Sequence, residues 1–423
     1  ATLTITLDDN APDIVVEPAD PDEHPGVDIA IDPTDPSLGN VSAVVYERAL
    51  SDGTDPDSGA ETATGTFTFT SPDGVQSLTV GGTDVTGVNA ADPDTYVTVT
   101  TPAGNTLFVT GYTYNPTTGE GEVTYSYTLT GREAHPNGDG NNSLDDTIAI
   151  VVNDGDGDPA NGSIVVRIID DVPQIAAATA TPAEVIVDET ALGTPSGWVA
   201  FDDLFNAPVY GADGAAASNP LVYTLEVGPT PTGLTDVATG NAIVLVRNSG
   251  TGAIEGHVGT SGGPLAFTIA VNSSGEVQLT QQRAIRHADT ENHDDVASLP
   301  AGAVVLRATV TDGDGDSANA AVNIGGSFRF KDDGPSIDSD AVQDGSVREA
   351  LLPTGSAAPT TPTAVTATGS LGASFGNDLA GDVRFTGGAA GTETTIGKLL
   401  GEDLKSGGKS LVYTLSNSDH TLT

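Results

Sequence analysis

The chain has no cysteine and no methionine. Without thiols it can form neither a disulfide framework nor a thiolate metal site, so any cation would have to be held by oxygen or imidazole. Positive charge is scarce as well. Lysine and arginine total 14 against 59 aspartates and glutamates, a formal net charge of -45 over 423 residues. All four lysines (Lys331, Lys398, Lys405 and Lys409) lie after residue 330. Such a surface repels nucleic acid and anionic lipid, whose phosphates carry the same sign. It also repels itself, so bound cations are expected to help it stay compact. Long apolar runs are missing too. A membrane helix needs about 20 apolar residues, and the longest runs here are about five or six. No signal peptide is seen. The sequence reads as starting inside a longer protein or after a processing site, with any export signal outside it.

High charge at only 37% hydrophobic residues could indicate disorder, but the patterning argues for strands. The stretches "TGTFTFTS" (64–71), "DTYVTVTT" (94–101), "GEVTYSYTLTG" (121–131), "NGSIVVRII" (161–169) and "AVVLRATVT" (303–311) are rich in Thr, Val and Tyr, and most alternate with period two. Clusters of Gly, Pro, Asn and Asp separate them, as turns separate short half-buried strands. No segment of about 10 residues carries a helical period. The expectation is an all-β chain.

A long repeat organises it. "TLDDNAPDI", "RIIDDVPQI" and "RFKDDGPSI" place paired acids at Asp8-Asp9, Asp170-Asp171 and Asp332-Asp333, each step 162 residues. Each copy reads strand, Asp-Asp, proline, then an apolar residue. The proline cannot donate to a sheet ladder, so it ends a strand and stiffens the exit. A glutamate follows each linker, at Glu47, Glu189 and Glu349, and "LVYTL" recurs at 221 and 411. The expected units are 12–171, 172–333 and a truncated 334–423, with 1–11 ending a preceding repeat.

Two further runs fall late in the first and second units. "NDGDGDPA" carries Asp154, Asp156 and Asp158, and "TDGDGDSA" carries Asp312, Asp314 and Asp316. An EF-hand loop begins similarly but needs Gly at position six and Glu at position twelve. Here those positions hold Pro159 and Val165, or Ser317 and Asn323. One reading is a plain turn, since Asp and Gly are turn residues. The other is calcium. Three carboxylates in five residues repel one another, whereas Ca2+ takes six to eight hard oxygens and a flexible Gly-interleaved loop supplies several. The strand between this run and the next Asp-Asp linker spans roughly 26 Å at ~3.3 Å per residue. One ion cannot hold both ends. The run therefore belongs with the preceding linker: Asp8 and Asp9 with Asp154, Asp156 and Asp158, and Asp170 and Asp171 with Asp312, Asp314 and Asp316. Glu47 and Glu189 are further candidate ligands. Asp332, Asp333 and Glu349 would await a loop beyond the sequence.

Other motifs carry less. "GTSGG" (259–263) fits a nucleophile elbow around Ser261, but no helix follows, so a Gly-rich hairpin is the plainer reading. "LKSGGKS" (404–410) lacks the first glycine of a phosphate loop. "RHADTENHDD" (286–295) holds two histidines and several acids. It reads as a solvated loop, or else as a second calcium or a zinc site. Its counterpart in the first unit, "REAHPNGDGNNSLDD", keeps one histidine and Asp145-Asp146, which tilts the metal reading to calcium. Trp198 is the single tryptophan, a residue expected in the core.

The acidic linkers resemble, in logic, those of cadherins, where "DNAP"-like segments bind calcium between β-sandwiches. "VTDGDGDSANAAVNI" with "DDGPSI", "GLTDVATGNAIVLV", "GPLAFTIAV" and "RAIRHADTENHDDVASLPAGAVVL" resemble more closely the repeat region of giant bacterial RTX adhesins secreted by type I systems. "VYERALSDGTDPDSGAE" and "GGKSLVYTLSNS" resemble its VCBS-like relatives. The likeness covers nearly the whole chain and is closest in 174–337. It implies tandem Ig-like (cadherin-like) β-sandwich domains in a secreted protein of the bacterial cell surface. Their implied role is that of non-enzymatic, calcium-stabilised extender repeats in adhesion and biofilm formation. Implied partners are calcium and the neighbouring repeats, with a host or surface ligand bound by other domains, and with no nucleic acid and no membrane insertion. A glycan- or protein-binding module, or a spacer in a secreted RTX enzyme, are the alternatives.

Overall fold

The computed structural model describes residues 12–16, 41–138, 140–289, 291–343, 349–351 and 368–378, with isolated positions and two-residue pairings beyond. Asp8 and Asp9 lie outside the described residues, as does the side chain of Glu349. Among the described residues there is no α-helix; short 3-10 turns link the strands.

The first unit contains β1 (Asp13–Val16), β2 (Ala43–Tyr46), β3 (Thr62–Thr70), β4 (Val75–Val80), β5 (Thr83–Asp84), β6 (Val97–Thr100), β7 (Thr106–Asn115), β8 (Glu120–Thr128), β9 (Ser143–Asp154) and β10 (Pro159–Ile169). They form two five-stranded sheets, in the orders β1-β3-β8-β7-β6 and β2-β10-β9-β4-β5. Alternate residues of β9 and β10 are buried, so Ile148, Ile150, Val152, Ile164, Val166 and Ile168 face inward. They meet Phe67, Leu107, Val123 and Tyr125 from the other sheet. A period-two pattern on two facing sheets makes a sandwich core of this kind.

The second unit contains β11 (Val185–Asp188), β12 (Val199–Ala200), β13 (Leu221–Val227), β14 (Ile243–Arg247), β15 (Ile254–Val258), β16 (Leu265–Val271), β17 (Glu276–Gln281), β18 (Val296–Ser298), β19 (Val304–Thr311), β20 (Ser317–Asn323) and β21 (Phe328–Lys331). One sheet runs β12-β17-β16-β15-β14; opposite it lie β13-β19-β20 and β11-β21-β18. Phe201, Phe267, Ile269, Leu306, Phe328 and Phe330 fill the space between. The chain is thus all-β, a tandem of Ig-like sandwiches. All five strands read from the sequence are present, as β3, β6, β8, β10 and β19. Beyond Lys331, β22 (Ser336–Ile337) pairs with β23 (Ala373–Ser374).

Two ladders are parallel, and they decide what meets at the ends of each unit. β2 runs parallel to β10, with Tyr46 opposite Ile169. β11 runs parallel to β21, with Asp188 opposite Lys331. Glu47 therefore leaves its strand at the same end as Asp170, and Glu189 at the same end as Asp332.

Candidate metal centres

Both DGDGD runs are hairpin turns. The first joins β9 to β10 and the second β19 to β20. The leading aspartate closes each turn: Asp154 Oδ1 accepts from the N–H of Gly157 (2.9 Å) and Asp158 (2.8 Å). Asp312 Oδ1 accepts from Gly315 (3.1 Å) and Asp316 (2.7 Å). Each glycine has a separate reason. Gly157 and Gly315 adopt φ of 102° and 108°, which L side chains rarely do. Gly155 and Gly313 pack so closely on the carbonyls of Asp73 and Asp213 that a Cβ would collide. The turn accounts for the glycines and for one oxygen of the leading acid. It does not account for Asp158 or Asp316, and it gives Asp314 only a 3.4 Å contact from the Asp316 N–H. It also leaves Asp154 Oδ2 and Asp312 Oδ2 buried without a hydrogen-bond partner.

At the end of the first unit, acids from both units converge. Ligand atoms of Asp170, Asp213 and Asp314 lie within 4.8 Å of one another, and so do those of Asp312, Asp314 and Asp316. Oxygens bound to one Ca2+ at 2.3–2.6 Å stand no more than about 5 Å apart, so each triplet has the spread of an ion's shell. Asp213 Oδ2, Asp312 Oδ2, Asp314 Oδ2 and Asp316 Oδ2 are buried and unpartnered. Uncompensated acid in so small a space is costly. Burial, then Asp314, Glu47 and Asp213, push Asp170 up to about 8. Burial and Asp314 push Asp312 up to about 7. Burial pushes Glu47 up to about 7.

Neutral hydrogen bonds and one ion pair lock the same place. Thr54 donates its N–H (2.8 Å) and its hydroxyl (2.6 Å) to Asp171, and the Ala212 N–H donates to the same carboxylate (3.1 Å). The Gly140 N–H donates to Asp316 Oδ1 at 2.9 Å. Arg132 pairs with Asp213 at 3.0 Å. Ala212 packs into the first unit's core.

Of the residues expected to group with Asp170 and Asp171, the structure brings Asp314 to Asp170, and Asp312 and Asp316 to Asp314. Asp171 is nearby, but its carboxylate is taken by Thr54 and Ala212. Asp333 repeats that role, accepting from the Asn377 N–H (2.8 Å) and Nδ2 (3.0 Å). Asp154, Asp156 and Asp158 cluster together, the last two exposed. Glu47 and Glu189 follow the first two linkers in sequence. The parallel ladders carry them to the far pole, Glu47 to Asp170 and Glu189 to Asp332. There each is joined by a histidine, His135 or His287.

The paired acids of the loops read otherwise than their spelling suggests. Asp145 binds Arg167 at 2.8 Å. Asp146 is buried and accepts from Thr101 and the Tyr127 hydroxyl. Asp294 pairs with Lys331 at 2.9 Å. Ser261 lies in the β15–β16 hairpin turn. Trp198 is 45% exposed rather than in the core, because it precedes the short edge strand β12.

Asp213 was missed by motif reading. One signal could have found it: Gly211-Ala212-Asp213 recurs as Gly376-Asn377-Asp378, close to the repeat spacing. Both glycines adopt positive φ and press on the linker's second aspartate, Asp171 or Asp333.

Residues 184–325 match the family described as "Domain of unknown function (DUF5801)". No curated protein matches. Among solved structures, a mouse clustered protocadherin, PcdhgC3 EC1-3, is similar at 12% identity and TM-score 0.20, over 69% of this chain and 65% of that one. Drosophila N-cadherin EC1-4 is similar at 13% identity and TM-score 0.16, over 56% of this chain and 45% of that one. The Ig1-2 module of the Drosophila receptor protein tyrosine phosphatase DLAR is similar at 10% identity and TM-score 0.17, over 76% and 98%. Likeness at that level bears on neither the ions nor the partners of this chain.

Proposed function

We propose that this chain is a set of non-enzymatic extender repeats whose junctions are stiffened by calcium. The units are 12–171, 172–333 and the start of a third at 334–423. In the first described junction the ligands are Asp170 from one unit and Asp213, Asp312, Asp314 and Asp316 from the next. The single observation carrying this reading is the buried, unpartnered oxygen on each of Asp213, Asp312, Asp314 and Asp316, in two overlapping groups of which one includes Asp170 from the preceding unit. A hard divalent cation neutralises that charge, and the donor set, carboxylate oxygen alone, suits calcium. Asp154, Asp156 and Asp158 would meet Asp8 and Asp9 in the same way. The resemblance in the motifs supports a place in a secreted adhesin of the bacterial surface, spacing a distal binding domain in attachment and biofilm formation. Near-millimolar extracellular calcium suits sites of modest affinity.

Calorimetric titration of the full chain with calcium tests the assignment. Wild type should take up calcium, and a variant with Asp312→Asn, Asp314→Asn and Asp316→Asn should lose the ion at this junction. Equal uptake by both chains would overturn it.

A further inference from the structure

The far pole of each unit carries a group that oxygen-only chemistry does not explain: an imidazole held between two carboxylates. Calcium takes oxygen ligands, whereas imidazole with carboxylate suits borderline transition metals. Glu47, His135 and Asp170 bring ligand atoms within 4.8 Å of one another, as do Glu189, His287 and Asp332. We propose that these two Glu-His-Asp groups are sites for a divalent transition metal of the zinc class, distinct from the oxygen-only cluster. The first shares Asp170 with the proposed calcium site; the second shares no residue with it.

The orientation of His135 supports this. The Asn142 amide donates to the Pro136 carbonyl (3.0 Å) and to Asp170 Oδ2 (3.3 Å). That orientation leaves Asn142 Oδ1 to accept from His135 Nδ1 at 2.8 Å. The proton is then on Nδ1, and the lone pair of Nε2 points at Glu47 Oε1, 3.2 Å away. Two lone pairs face each other unless a cation or a proton lies between them. A metal-bound histidine has this same arrangement, its other nitrogen donating to an oxygen that fixes the ring. Both side chains are fully buried, and Glu47 Oε2 has no hydrogen-bond partner.

The second unit repeats the arrangement with a different surround. His287 Nε2 lies 3.4 Å from Glu189 Oε1, with the histidine side chain 4% exposed and Glu189 fully buried. Both ring nitrogens, Glu189 Oε2 and Asp332 Oδ1 lack hydrogen-bond partners. Glu189 Oε1 is positioned by the Ile285 N–H and the Gln281 amide, both at 2.8 Å, as Glu47 Oε1 is by the Glu133 N–H at 2.5 Å. Bonds of about 2.0 Å to a tetrahedral zinc put neighbouring ligand atoms about 3.3 Å apart. The two observed separations, 3.2 and 3.4 Å, bracket that edge.

The test titrates Zn2+ into the full chain already saturated with millimolar calcium. The expected result is uptake of two zinc ions, with the 15N resonances of both imidazoles shifted. His135→Gln and His287→Gln should each lose one ion while keeping the calcium-dependent rise in melting temperature, which confirms that they fold. Co2+ in place of zinc should give ligand-field absorption that fades with each substitution. Absence of zinc uptake by wild type, uptake unchanged in the double histidine variant, or complete displacement by calcium would each overturn the proposal. The Asp312, Asp314, Asp316 triple variant separates the two readings: it should lose calcium at the junction and keep zinc at His287, whereas a wild-type chain that takes up zinc but shows no calcium response would sink the calcium assignment and leave this one standing.

Discussion

At the scale of single residues, the acids divide by what their second oxygen does. Asp171 spends its oxygens on backbone and hydroxyl donors and Asp333 on the backbone and side-chain amide of Asn377, whereas Asp213, Asp314 and Asp316 each keep a buried oxygen unpartnered. Asp213→Asn should therefore weaken calcium binding at least about tenfold, or ~1.4 kcal/mol, while leaving the melt in chelator little changed; calorimetry beside a melt in EDTA checks both. The ion-free chain also has a pH dependence of defined sign. Asp170 and Asp312 are raised to about 8 and about 7, so between about 4 and these values the folded state holds protons that the unfolded state has lost. Their contribution to stability is complete below the unfolded carboxylate range near 4 and is lost as pH rises toward 8. In EDTA the melting temperature should fall from pH 5 to pH 8. In millimolar calcium that fall should vanish, because bound metal displaces the same protons. A flat profile in EDTA would remove the strained-acid account.

At the scale of elements, the turns and the parallel ladders do the positioning. Gly315→Ala should cost roughly 1–2 kcal/mol through its left-handed backbone alone. Gly313→Ala should instead displace the Asp213 carbonyl and lower calcium affinity; melts in EDTA and in calcium distinguish the two effects. Much of this level was legible in the sequence. Alternating Thr, Val and Tyr named β3, β8 and β19, and the length of β10 set DGDGD and the next linker at opposite ends. The pole of Glu47 was not legible, because it depends on β2 running parallel to β10, a long-range pairing with no local signature. Asp146 misled for a related reason: its spelling matches a ligand pair, but its place in β9 turns it inward to Tyr127. Asp213 sits in a loop with no acidic run around it. Beyond the short Gly-x-Asp recurrence, it becomes a ligand candidate through contact with Gly313 and proximity to Asp170.

At the scale of the whole molecule, the chain carries a formal charge of -45, and the junction between the first two units holds more acid than its hydrogen bonds satisfy. Cation binding there should order one unit against the next. The chain lacks cysteine, so Thr118→Cys and Thr260→Cys, both exposed positions, provide a unique pair of spin labels. Their distance distribution should be narrow in calcium and broaden in EDTA; the same width in both would contradict a stiffened junction. The most direct measurement is a thermal melt of the full chain in EDTA and in millimolar calcium, beside the Asp312, Asp314 and Asp316 to Asn variant. Calcium at about 100 times its dissociation constant adds about 2.7 kcal/mol. The account predicts a rise of several degrees that the variant loses in its second unit. Identical melts with and without calcium would make DGDGD an ordinary turn and contradict the account.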